Sequence, residues 1–181
     1  MRHMALLAEG ILKLHWDQTV PVNVAHILKQ MGVRLQLQNN LAYSALLSIS
    51  SDNQARIVLN QQLPNVHQRY VVAHALAHVA LHHLRPGREQ PIHIGSDFRL
   101  DFSQHHTAEA NDFALRLLMP EPALRFAVED MQARNENEIA SVFAVPPLFV
   151  KQRLSELGIA LSRAPSRRRH GFTIDLDGVN H

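Results

Sequence analysis

The sequence predicts an α+β fold in which a small sheet of about three strands packs on one long apolar helix, with several further helices around them. Three observations predict it. Apolar residues recur at helical spacing before residue 32 and after residue 64, whereas the stretch between them alternates with the period of two that strands show. The segment NVHQRYVVAHALAHVALHHL is apolar almost all round, so its helix has no solvent face and must be buried. The chain has 181 residues, 46% of them apolar and 19% charged, which is long enough to bury a core and too apolar to be disordered.

Leu6, Leu7, Ile11 and Leu14 space residues 4–16 as an amphipathic helix. Pro21 opens a second helix over VNVAHILKQM, which Gly32 closes. VRLQLQ (33–38) alternates strictly, YSALLSIS (43–50) follows as a strand, and the turn SDNQ leads into ARIVLN (55–60); together they predict a small antiparallel meander. Helix then runs from Pro64 to about Leu84. Residues 84–102, with Pro86, Gly87, Pro91 and Gly95, read as a long loop, of the kind that is usually functional or mobile. Helix returns over about 103–119, stops at Met119-Pro120, and resumes over 121–132, 136–143 and 147–157, with Asn135 and Glu138 placed as a capping box. Residues 1–160 thus form one domain ending in a helical pair. Residues 161–181 form a basic tail that closes on GFTIDLDG, read as a lone strand.

The composition is lopsided: 13 His and no Cys. Without cysteine there is no disulfide framework, no Cys-ligated zinc, no iron–sulfur cluster and no thiol catalysis. The formal charge is +2, and Arg163, Arg167, Arg168 and Arg169 cluster without an acid; setting those four aside leaves 14 of the 18 basic residues against 16 acidic ones. The body is therefore not expected to bind nucleic acid, and only the Arg-rich tail is a candidate for it. Glu9 and Lys13 interrupt the first apolar stretch, so no targeting segment is read there. No run of about 18 apolar residues exists, so no membrane span is expected and the cytoplasm is the expected compartment.

His74 and His78 stand four apart in the most apolar helix, so their rings leave one face a turn apart and can reach one zinc ion. The competing reading is a pair of core histidines held by ordinary hydrogen bonds. His82 and His83 lie toward the helix end, where exposure is expected; His67, His105 and His106 have only proximity in their favour. In TAEANDFALRLLMP, Glu109 shares a face with Phe113 and Leu117. A carboxylate on an apolar stripe wants a cation, and nothing basic is counted at i±3 or i±4. A stabilising place near the helix N-terminus explains it equally well. Asn111 and Asp112 turn toward the polar side and are candidate supports for ligands.

RYVVAHALAHVALHH followed by EANDFALRLLMP resembles the ImmA/IrrE family of zinc metallopeptidases, gluzincins with an H-E-x-x-H helix and a downstream E-A-N helix. IVLN before the long helix and EIASVFAVPPLFVKQRLSELGI after the Glu109 helix are similar to the family's flanking strand and C-terminal helical pair, so the resemblance spans about residues 20–160. It implies a zincin-like fold, Zn2+ as cofactor, His74, His78 and Glu109 as its ligands, and a helix-turn-helix repressor or antitoxin protein as the partner, in control of phage, mobile-element or DNA-damage genes.

One residue departs from the pattern. The motif reads His74-Ala75-Leu76-Ala77-His78, and Ala75 occupies the place of the glutamate that takes a proton from water and hands it to the leaving amine. No Asp or Glu lies between Pro64 and Leu84 to replace it. The chain as it stands is expected to bind metal and to be inactive or strongly impaired as a peptidase. With all three implied ligands and both flanking motifs kept, an introduced inactivating substitution is favoured; the alternative is a natural pseudoenzyme that binds a regulatory protein without cutting it. A third reading, a DNA-binding regulator, rests on a helix-turn-helix interpretation of EIASVFAVPPLFVKQRLSELG, where only Lys151, Gln152 and Arg153 suit DNA; packing of these helices on the core is the expected use. Val33–Gln38 and Arg56–Asn60 are the two candidate sheet edges for an extended substrate. His105, His106 and Tyr70 are the candidate oxyanion donors.

Overall fold

The structure, a computed structural model, describes residues 2–98, 104–131 and 133–161. The Arg cluster at 163–169 and the strand expected in GFTIDLDG lie outside the described residues. Along the chain run α1 (Arg2–His15), α2 (Val24–Gln30), β1 (Arg34–Gln38), β2 (Ala45–Ile49), β3 (Ala55–Asn60), α3 (Asn65–Ala80), β4 (Arg88–Ile92), α4 (His105–Leu118), α5 (Glu121–Glu129), α6 (Glu136–Phe143) and α7 (Pro147–Leu157). The α+β class read from the sequence holds.

The sheet has four strands, in the order β1-β3-β2-β4, rather than the expected three. It is also not a meander. β2 turns through Ser50–Gln54, where Ser50 N donates to Gln54 O at 3.0 Å, and β3 returns antiparallel to it. β3 thereby fills the slot between β2 and β1 and runs parallel to β1, with Leu35 facing Ile57. Arg56–Asn60 is therefore interior and offers no edge; the edges are β1 and β4. The fourth strand falls in the stretch that reads as a loop, because Pro91 lacks an N–H and suits a strand only at a sheet edge, which is where β4 pairs with β2.

Alternation decides which face is covered. Ala45, Leu47 and Ile49 of β2 and Ala55, Ile57 and Leu59 of β3 point to one face and are buried. That face receives α3, while β1, beyond its reach, is exposed at every position. On its other side α3 packs against α4, and α1 packs against α4 in turn. Sandwiched this way, α3 is buried at every residue from Tyr70 to His78. Leu76, Phe113, Leu115 and Leu117 are fully buried at this junction, each contributing about 1.5–3 kcal/mol by leaving water.

α3 stops earlier than its apolar pattern suggests. His82 takes a left-handed backbone conformation (φ 55°), His82 N donates to Val79 O at 3.1 Å, and His83 N donates to His78 O at 2.9 Å. These paired bonds satisfy the last carbonyls and reverse the chain, a closure that usually places glycine where His82 stands. Asn135 caps α6 by accepting from Glu138 N at 3.0 Å, as its spacing predicts. In α7, Phe149, Val150, Arg153 and Leu154 are buried, so the C-terminal pair packs inward. Arg153 bonds Glu156 at 3.2 Å, which removes one of the three side chains on which a DNA-contacting helix would depend. Among the described residues, no helix is long and apolar enough to cross a membrane.

Candidate metal centre

His74 and His78 leave the same face of α3 and are 3% and 1% exposed. Their Nε2 atoms stand 3.2 Å apart. Burial holds both rings neutral: it lowers the pKa of His74 to about 4, with Asn111 opposing, and that of His78 to about 3, with the neighbouring histidines adding to the effect. Neutral imidazole is the form that binds metals.

The reversal at His82 swings His83 back under the helix. Its side chain is 6% exposed, unlike the rim position that its sequence neighbours suggest, and its Nδ1 lies 3.1 Å from His78 Nδ1. Its Nε2 lies 3.1 Å from Glu109 Oε2. A chain of protons follows from these contacts. The carboxylate oxygen accepts, so His83 Nε2–H donates; His83 Nδ1 must then accept, and His78 Nδ1–H donates to it. His78 Nε2 is left with a lone pair directed at His74 Nε2, the tautomer that a metal-ligating histidine requires, fixed by the partner of its other nitrogen.

α4 carries Glu109 to this place. The carboxylate also faces His105 Nδ1 at 3.6 Å, four residues earlier on the same helix. The expectation that nothing basic flanks Glu109 at i±4 is thus corrected: His105 and His83 are its partners. His106 stacks on His83 with ring centroids 4.2 Å apart and planes 11° apart. One ligand atom each from His83, His106 and Glu109 lies within 4.8 Å of the others. Asn111, 1% exposed, accepts from the Tyr70 hydroxyl at 2.7 Å. Tyr70 is fully buried, and burial raises its pKa, so its hydroxyl braces α3 against α4 rather than facing a substrate. Asp112 takes Arg116 through Nε at 2.9 and 3.0 Å and so points away from the histidines. His67 bonds Ile94 O at 3.0 Å and packs on Phe98, tying the segment after β4 to α3.

The donor chemistry fits a metal ion. Two nitrogens bound tetrahedrally at about 2.0–2.1 Å stand roughly 3.3 Å apart, close to the observed His74–His78 spacing. His74 Nδ1, moreover, is buried without a hydrogen-bond partner, a nitrogen that burial leaves unsatisfied although Asn111 lies near the same ring. Ala75, next to His74, is fully buried and carries no titratable group.

The structure thus brings His74 and His78 together through Nε2 but places Glu109 on His83, on the Nδ1 side of His78, and not directly on the pair. A buried His-x-x-x-His pair on the core helix of an α+β scaffold is nonetheless the kind of feature that metallopeptidases carry. Residues 28–155 match the peptidase M78 family, described as the IrrE N-terminal-like domain, and the chain belongs to that family. It is also similar to metallopeptidase ImmA of Bacillus subtilis (strain 168), with 28% identity over 138 residues that cover 75% of this chain and 78% of that protein.

Proposed function

We propose that this chain is a zinc peptidase scaffold without its general base: His74, His78 and Glu109 hold Zn2+, and Ala75 leaves the proton-transfer position empty. The observation that carries this reading is the His74–His78 pair, two neutral rings with Nε2 atoms 3.2 Å apart inside the core. A bound zinc ion supplies Lewis-acid polarisation of a peptide carbonyl and makes water a stronger nucleophile near neutral pH. The chain's own residues prepare the ligands: His83 fixes the tautomer of His78 and orients the Glu109 carboxylate. An alanine methyl group neither takes nor gives a proton, and loss of a general base costs about 10²–10⁴ in rate. The protein acted on or bound is a helix-turn-helix repressor or antitoxin, a reading supported by family membership and by the similarity to metallopeptidase ImmA.

The test is Ala75→Glu, loaded with zinc and offered repressor or antitoxin proteins encoded beside its own gene. The variant is expected to cut one of them, and the parent to leave it whole. A folded variant, shown by a cooperative thermal melt, that binds zinc and leaves every such protein intact overturns the peptidase reading and favours a binding role.

A further inference from the structure

We propose a second metal site at the rim of the first, formed by His83, His106 and Glu109 and suited to a divalent d-block cation. The three ligand atoms already lie within 4.8 Å of one another, with His83 Nε2 3.1 Å from Glu109 Oε2. Two imidazoles and one carboxylate select zinc, cobalt, nickel or copper over calcium and magnesium, which prefer oxygen. His105 Nδ1, 3.6 Å from the same carboxylate oxygen, is a fourth donor within reach.

The position of these histidines has no explanation in helix stability. His105 and His106 open α4, whose first turn has no acidic residue, although helix starts favour carboxylates. His106 is exposed, which gives an ion a way in from solvent, and its ring lies flat on His83 without a hydrogen bond between them. Among the described residues, nothing else in the fold calls for three imidazoles around one carboxylate. The rim site is the weaker of the two because one of its ligands stands in solvent. It shares Glu109 with the inner set but does not depend on the inner pair.

The experiment is equilibrium dialysis of the full chain against Co2+, with bound metal measured by atomic emission, for the parent, His106→Ala and the double variant His74→Gln/His78→Gln. The parent is expected to bind two ions of unequal affinity. His106→Ala, a change at an exposed side chain, is expected to weaken the second ion at least tenfold and spare the first. The double variant is expected to keep the ion that His106→Ala weakens. Binding by His106→Ala indistinguishable from the parent, or loss of all binding in the double variant, overturns the rim site. The two readings fail separately: a rim ion retained in a double variant that has lost nothing else tells against the inner site alone.

Discussion

His78 presents Nε2 to His74 and Nδ1 to His83, at 3.2 and 3.1 Å, so both nitrogens of one buried ring face other imidazoles. Such an arrangement is costly to protonate. It ties the stability of the fold to pH and to metal.

In metal-free protein, the folded-state pKa values of His74 and His78, about 4 and about 3, lie below the ordinary value of 6.5. The unfolded chain therefore binds more protons between those values, and stability is fully present above pH 6.5 and lost as pH falls through 6.5 toward 4 and 3. Each proton that only the unfolded chain takes up costs about 1.4 kcal/mol of stability for every pH unit of that window. The chelator-treated protein is thus expected to lose about 3 kcal/mol or more between pH 7 and pH 4. Urea midpoints across that range measure it, and a flat profile contradicts the buried, neutral pair.

Metal should act in the opposite direction. At about 100 times its dissociation constant, an ion that binds only the folded chain stabilises it by about 2.7 kcal/mol, which raises the melting temperature of a protein of this size by roughly 5–10 °C. Zinc added to the chelated protein is expected to give that increase, and His78→Gln to abolish most of it. An equal increase in both proteins places the stabilising ion elsewhere.

Asn111 and Tyr70 join α4 to α3 inside the core. Asn111→Ala leaves the Tyr70 hydroxyl buried without this acceptor, at a cost of about 1–3 kcal/mol. Adding Tyr70→Phe should recover part of that loss. Strict additivity of the two substitutions in denaturant titrations would show that the pair does not act as a unit.

His82, exposed and at φ 55°, occupies a backbone conformation that suits glycine. His82→Gly should stabilise the protein by up to about 1 kcal/mol and leave metal affinity unchanged. A drop in affinity would mean that His82 itself helps to hold the ion.

Much of this arrangement is legible in the residues. Among the described residues, the helical and strand periods mark the seven helices and three of the four strands, and i,i+4 spacing puts His74 and His78 together. The fourth strand is hidden because Pro91 and Gly87 read as punctuation, and only pairing with β2 makes a strand of them. The interior place of β3 depends on which strand it joins after its turn, a tertiary choice that alternation does not encode. His83 is the clearest miss. Its burial follows from the left-handed turn at His82, and without a glycine the sequence carries no mark of that turn; the nearest signal is the pair of adjacent histidines where an apolar helix runs out of pattern.

The central claim, that the buried histidine pair is a metal-ligand pair, is tested most directly by the affinity for a single equivalent of zinc, measured by competition with a chromophoric chelator in the parent and in His74→Gln/His78→Gln. The account predicts a tight ion in the parent and at least a hundredfold weaker binding in the double variant. Parental affinity retained without the two rings would contradict it.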